Sequence, residues 1–308
     1  MKIVISEFMD ERAVARLAAR HDVVHEPGLV DEGDRLLREA AGADALIVRN
    51  RTQVRGPLLD ALSRCKVVGR LGVGLDNIDV DGCAERGITV IPATGANALA
   101  VAEYVVGTAM LLLRGAYGST PDVAAGRWPR NALSTGREST GKTLGLIGLG
   151  SIGRETGRLA RALGLHVVAF DPALAAGDRV YADHGVEPVD LDGLLATSDV
   201  VSLHVPLVDG TRDLLGAARI AAMKRGAVLI NTARGGIVDE AALAAALRSG
   251  HLGGAALDVF VDEPLAAGSL LESCPNLLLT PHIAGVTVEA NERVSFLIAD
   301  RVIEALDR

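Results

Sequence analysis

LGLIGLGSIGR, residues 144 to 154, decides the fold. An apolar run of strand character ends in Gly148, Gly150 and Gly153, a G-x-G-x-x-G, and a helical pattern follows at once. In that context the first glycine permits a tight turn and the second lets the main chain approach a pyrophosphate. The third lets helix and strand pack closely, and the helix N-terminus favours the negative charge. The next apolar run, HVVAF, ends in Asp171, at roughly the 20-residue interval expected of an acid that binds a ribose 2'-hydroxyl. A carboxylate there repels a 2'-phosphate by at least about 1 kcal/mol even in water, so NAD is expected over NADP.

The strand-helix rhythm runs outward from this motif in both directions. TLGLIGL is followed by HVVAF, VVSLHV, AVLINTA, AALDVF and NLLLT, which predict a six-stranded, doubly wound, Rossmann-like parallel sheet. Upstream, KIVIS, VVHE, ALIVRN and KVVGRL alternate with helical stretches near 11–20, 34–41, 58–64 and 79–86. That pattern predicts a second parallel α/β domain. A long apolar helical stretch, 98–114, and a polar connection, 115–142, lie between the two halves. The last amphipathic stretch, about 287–306, has no strand after it and is expected to return to the first domain. The fold class is therefore α/β with two doubly wound parallel-sheet domains and the active site in the cleft between them. The substrate-binding domain is expected at 1–97 plus 286–308 and the NAD-binding domain at 98–285.

Composition restricts the partners. The 308 residues are 49% hydrophobic and 3% aromatic, enough for two aliphatic cores. A formal net charge of -8 with dispersed acids gives no surface for nucleic acid or anionic lipid. Cys65, Cys83 and Cys274 are far apart, show no metal-ligand spacing and are odd in number, so neither a metal site nor a disulfide framework is expected. The opening MKIVISEFMDE meets acids too early for a secretory leader, and no apolar run reaches about 18 residues. A soluble, cytoplasmic protein is expected.

In a doubly wound sheet ligands bind beyond the carboxyl ends of the strands, and here those ends are polar. They carry His204 and Pro206, then Asn231, Thr232 and Arg234 before Gly235 and Gly236, then Asp258 running on to Asp262 and Glu263, and finally His282 after NLLLTP. An arginine, a carboxylate and an imidazole suit the oxidation of a hydroxy acid. A guanidinium grips a carboxylate bidentately and polarises the adjacent carbonyl. An imidazole takes the hydroxyl proton, and a carboxylate beside it orients the ring and favours its charged form.

LGLIGLGSIG, the strand-end Asp171, LHVPLVDGT, INTARGGIVDE, ALDVFVDEP and TPHIAG, with GRLGVGLDNID upstream, resemble in order and spacing the D-isomer-specific 2-hydroxyacid dehydrogenases over nearly the whole chain. The resemblance implies that Arg234 binds the substrate carboxylate, Glu263 pairs with the imidazole and His282 is the acid/base. It implies cofactor contacts from Ser151 and Ile152 at the pyrophosphate, from Thr232 and Asp258 on the nicotinamide side, and from His204, Val205, Pro206, Thr211, Ala233 and Gly285. Val73 and Gly74 would meet the substrate carboxylate through main-chain N–H groups. Family members swap the helix and arm that span about 97–141 here, so a homodimer is implied, and AVAEYVVGTAMLLL is too apolar to face water. Ser151 stands where many relatives have arginine. Glu263, rather than the glutamine of formate-oxidising relatives, speaks against formate. The chain ends at Arg308, so the regulatory extension of some phosphoglycerate dehydrogenases is not expected.

Arg49, Arg51, Arg70 and Arg130 suggest a second anionic group at C3 of the substrate. In phosphoglycerate dehydrogenases the positions matching Arg49, Arg70 and Arg130 approach the substrate phosphate, the last from the neighbouring subunit, and Arg51 adds a charge. The cluster suits phosphate or sulfonate. ISEFMDE, IVRNRTQV, PATGAN and the RGAYGST to GRWPR arm resemble sulfolactate dehydrogenases more than phosphoglycerate enzymes, which makes sulfolactate the leading expectation. Phosphoglycerate and hydroxypyruvate or glyoxylate remain alternatives. An NADH-sensing binding module resembling a corepressor is a competing class. The compact chain shows no disordered recruiting tail, and turnover of 2-oxo acids separates the two.

Overall fold

The computed structural model describes residues 1–308, which divide into two compact units, Met1–Asn97 with Val286–Arg308 and Ala98–Gly285. The first contains β1 (Lys2–Ile5), α1 (Glu11–Ala18), β2 (Asp22–His25), α2 (Gly33–Ala41), β3 (Ala45–Val48), α3 (Pro57–Ala61), β4 (Val67–Arg70), α4 (Val80–Glu85) and β5 (Thr89–Pro92). The second contains α5 (Ala98–Arg114), α6 (Thr120–Ala124), β6 (Thr143–Ile147), α7 (Ser151–Ala162), β7 (His166–Phe170), α8 (Arg179–His184), β8 (Glu187–Pro188), α9 (Leu191–Thr197), β9 (Val200–Leu203), α10 (Ala217–Ala222), β10 (Val228–Asn231), α11 (Glu240–Arg248), β11 (Gly254–Leu257) and β12 (Leu277–Leu279). The last helix, α12 (Val288–Leu306), belongs to the first unit.

In the first unit five parallel strands lie in the order β2-β1-β3-β4-β5, so the sequence direction reverses between β1 and β3. Ile3, Ile5, Ala45, Ile47 and Val67 pack against residues of α1 and α12, whereas Val4, Leu46, Val48 and Val68 pack against residues of α2, α3 and α4. Burial on both faces is why these strands read as continuous aliphatic runs. Asp10 and Asp79 cap α1 and α4 by accepting main-chain N–H groups of Arg12 and Gly82, and Thr287 caps α12 through Ala290 N.

The second unit has seven parallel strands in the order β12-β11-β10-β9-β6-β7-β8, two wings growing in opposite directions from β6. This is the dinucleotide-binding order with one further strand, and its switch point lies between β6 and β9. The further strand beyond that order is β12. The six strands expected become seven because they included β12 but not β8, a two-residue edge whose second residue is a proline. In the first unit β5, TVIP, was likewise absent from the expected strands; it too is a short edge ending in proline. The helix expected over 58–64 starts at Pro57 and stops at Ala61, where Leu62 turns away. No single helix is long and apolar enough to cross a membrane.

Candidate active site

The turn after β6 is shaped by close approach. Gly148 has φ of 101°, and a Cβ on Gly153 would lie 2.3 Å from the Gly148 carbonyl oxygen, so neither position takes a side chain without strain. Gly150 stands at the N-cap of α7 with no side-chain cap, which leaves the first amides of Ser151, Ile152 and Gly153 without one. A Cβ on Gly150 would meet nothing within 4 Å. Open space before uncapped amides fits a pyrophosphate. Asp171, just beyond β7, accepts Leu149 N through Oδ2 at 2.7 Å and Ala173 N through Oδ1 at 2.9 Å. The carboxylate is fixed against the glycine turn, where a ribose would lie.

His204 follows β9 on the other side of the switch point. Its Nε2 is 3.0 Å from Ser202 Oγ, and burial pushes its pKa down to about 4, so the ring is neutral near pH 7. Val205 is buried. Thr211 Oγ1 donates to Pro206 O at 2.6 Å and accepts Val208 N at 2.9 Å, which closes the loop after it. At the last residue of β10, Asn231 Oδ1 accepts Ala233 N at 3.0 Å and its Nδ2 donates to Arg234 O at 2.9 Å, an amide staple on the turn that carries the arginine. Arg234 Nη1 donates to Ala233 O at 2.6 Å. Thr232 Oγ1 is buried and makes no hydrogen bond, an atom that a bound carboxamide would satisfy.

The arginine turn abuts the next strand end so tightly that a Cβ on Gly235 would lie 1.8 Å from Phe260 O. Phe260 N donates to Glu263 Oε1 at 3.1 Å, and Glu263 Oε2 is 2.9 Å from His282 Nδ1. Carboxylate and imidazole are both partly open to solvent. His282 itself has φ of 55°, in the left-handed region. Its N–H donates to Asp258 O at 2.8 Å, and the buried Asp258 carboxylate accepts Ile283 N, Ala284 N and Thr280 Oγ1 at 2.8, 2.8 and 2.5 Å. Because Thr280 donates there, the hydroxyl of Tyr104 on α5, 2.7 Å away, donates to Thr280. The sequence places Asn231 at a strand end without giving it a role, and gives none to Thr280 or Tyr104. For Asn231 a signal existed, an asparagine opening a tight T-A-R-G-G turn.

The remaining residues lie in the first unit or on the arm. Arg49, beyond β3, is half-buried, with Nη2 2.9 Å from Asn291 Oδ1 and its guanidinium carbon 5.7 Å from the Phe8 ring centre. Arg51 is exposed and forms a two-point ion pair with Asp31. Arg70 ends β4 and donates to Leu71 O at 3.1 Å. Val73 and Gly74 lie in the loop after it, and Arg130 is exposed on the arm beside Trp128.

An imidazole with a carboxylate partner, set at the strand ends of a dinucleotide-binding sheet, equips a protein to remove a proton from a hydroxyl while a nicotinamide takes the hydride, the chemistry of an NAD-dependent oxidoreductase. Residues 106–284 match the family model of the D-isomer specific 2-hydroxyacid dehydrogenase NAD binding domain, and the chain belongs to that family. It is 55% identical over 305 residues to the (S)-sulfolactate dehydrogenase of Chromohalobacter salexigens, covering 99% of this chain and 98% of that one. It is 37% identical to the D-3-phosphoglycerate dehydrogenase of Archaeoglobus fulgidus over 98% of this chain but only 57% of that longer protein. The crystal structure of a glyoxylate reductase from Paecilomyes thermophila superposes with a TM-score of 0.88 at 30% identity, covering 100% of this chain and 96% of that one.

Proposed function

We propose that this chain interconverts (S)-sulfolactate and sulfopyruvate, with Arg234 holding the substrate carboxylate, His282 as acid/base and Glu263 as its partner. The observation that carries the substrate is the 55% identity, end to end, with a protein named for (S)-sulfolactate. Stereochemistry agrees with the family name. Sulfur outranks oxygen in the priority rules, so CH2–SO3⁻ outranks the carboxylate, and the spatial arrangement called D in lactate is written S in sulfolactate.

In the oxidation, Arg234 and the amides of Val73 and Gly74 bind the C1 carboxylate, and the guanidinium polarises the C2 oxygen. His282 accepts the C2 hydroxyl proton, the C2–H bond breaks as a hydride, and the Glu263 carboxylate stabilises the imidazolium so formed. Bound NAD supplies the hydride acceptor. The chain orients it through the uncapped amides of Ser151 to Gly153, Asp171 and Thr232, with His204, Val205, Pro206, Thr211, Ala233, Asp258 and Gly285 around it. Arg49, Arg70 and Arg130 take the C3 sulfonate, Arg130 from a second subunit, and the enzyme acts as a homodimer in the cytoplasm.

Phosphate at C3 suits the same arginines, which makes 3-phosphoglycerate the second reading. Steady-state kinetics on sulfolactate, 3-phosphoglycerate, glycerate and lactate decide between them. Sulfolactate is expected to give the highest kcat/KM. A higher value for 3-phosphoglycerate transfers the assignment to phosphate, and equal efficiency with lactate or glycerate removes the anion site altogether.

A further inference from the structure

The first sheet has its own switch point, where Glu7 and Phe8 follow β1 and Arg49 follows β3. A crevice at the carboxyl ends of the strands is expected there. The loop after β3 is clamped on both sides. The buried Glu7 carboxylate accepts Arg49 N at 2.8 Å, Thr52 N at 3.0 Å and Arg51 N at 3.1 Å, and Asn77 Nδ2 donates to Arg49 O and Thr52 O at 3.2 and 2.7 Å. The origin of the Arg49 side chain is therefore fixed.

The partners of that side chain differ in kind from those of Arg51. Arg51 is neutralised by Asp31. Arg49 Nη2 donates to the amide oxygen of Asn291, in the first turns of α12, and the guanidinium lies over the Phe8 ring. Neither partner carries a charge. Glu7, whose negative charge is felt at Arg49, has its oxygens committed to main-chain amides, and burial presses the guanidinium's pKa below its ordinary value. A half-buried cation of this kind is short of a counter-charge.

We propose that Asn291 is a specificity-determining residue: its neutral carbonyl orients Arg49 without cancelling the charge, and so keeps the guanidinium available for an anionic group at C3 of the substrate. The inference rests on the reading of Arg49 given under Proposed function. The site selects C3-anionic acids because position 291 presents an amide. A carboxylate of the same shape would turn Arg49 into a second Arg51, already paired and of little use to an incoming anion.

The test is steady-state kinetics with sulfolactate and lactate on the wild type, Asn291→Asp, Asn291→Ala and Arg49→Ala, with NADH affinity and thermal melts measured alongside. Asn291→Asp adds an acid near a helix N-terminus, where it favours the fold. It is expected to lower kcat/KM for sulfolactate by at least about tenfold through KM, equivalent to 1.4 kcal/mol. The kcat, the NADH affinity and kcat/KM for lactate should stay within about threefold, the range of a surface change of roughly 0.5 kcal/mol. Asn291→Ala, which releases the guanidinium without pairing it, should fall between the wild type and Asn291→Asp. If Arg49→Ala collapses the sulfolactate-to-lactate ratio while both Asn291 variants preserve it, Asn291 has no such role and the reading of Arg49 stands. An unchanged ratio in Arg49→Ala overturns that reading and this inference with it.

Discussion

His282 adopts a left-handed backbone conformation that costs a bulky residue about 1–2 kcal/mol. Asp258 offsets this by taking Ile283 N, Ala284 N and the Thr280 hydroxyl on its carboxylate and His282 N on its carbonyl. Asparagine tolerates the same conformation, so His282→Asn should leave the loop intact and remove only the proton acceptor. Turnover is expected to fall by at least about 100-fold, with NADH affinity by fluorescence titration unchanged; residual activity near the wild type would exclude His282 as the base. Glu263→Gln keeps a hydrogen-bonding partner but no charge, and its loss of kcat should be smaller. His204 offers a pH prediction. Its partly buried ring has a pKa of about 4 in the fold against about 6.5 when unfolded. Between those values the unfolded chain binds the extra proton. Stability is therefore full above about pH 6.5 and is lost as pH falls, by about 2 kcal/mol at pH 5. Urea unfolding at pH 7 and pH 5 should show this loss in the wild type and a smaller one in His204→Gln, where only His25, its pKa also lowered by burial, still contributes. The residues at strand ends were legible in the sequence, since polar groups closing aliphatic runs need a reason. Asn291 and Glu7 were not, because their partner Arg49 lies 242 and 42 residues away and nothing in the chain announces the pairing.

At the scale of elements, the glycine turn into α7 and the aliphatic strands were readable because each combines a steric demand with a periodicity. The edges were not. Burial produces a hydrophobic run; β8, reduced to Glu187–Pro188, is too short to show one, and in β5 only Val90 and Ile91 stand between Thr89 and Pro92. The strand that matters for cofactor choice is β7, which delivers Asp171 to the turn, where Leu149 N and Ala173 N fix both carboxylate oxygens. A carboxylate so held cannot swing away from a 2'-phosphate. NAD is therefore expected over NADP by at least about tenfold in kcat/KM, equivalent to 1.4 kcal/mol, and Asp171→Ser should narrow the ratio. Equal efficiency with the two cofactors in the wild type would contradict this.

At the scale of the whole molecule the unsatisfied surface is the helix and arm from Ala98 to Lys142. α5 is apolar on most of its circumference, and one side is already buried through Val101, Val105, Ala109 and Leu112. Met110 remains 42% exposed, and the arm beyond carries Tyr117 at 66%, Val123 at 45% and Trp128 at 76% exposure. The far end of the arm is tied down, since Arg137 donates to Gly226 O and lies 3.6 Å from Asp199. The exposed side chains lie on the stretch between α5 and this anchor. A lasting interface needs about 800 Å² from each partner, and a tyrosine or tryptophan supplies about 150–250 Å². Tyr117 and Trp128 alone fall short, whereas together with Met110, Val123 and the open side of α5 they approach it, and a second copy of the same surface satisfies both chains at once. Light scattering at micromolar concentration should give a particle of twice the 31.9 kDa chain mass. Trp128→Glu places a charge in the apolar patch and should shift that particle toward the single chain. Because Arg130 is two residues away, the same variant should lose efficiency on sulfolactate as it dissociates; a monomeric wild type, or a Trp128→Glu protein that stays dimeric, would remove the arm from assembly.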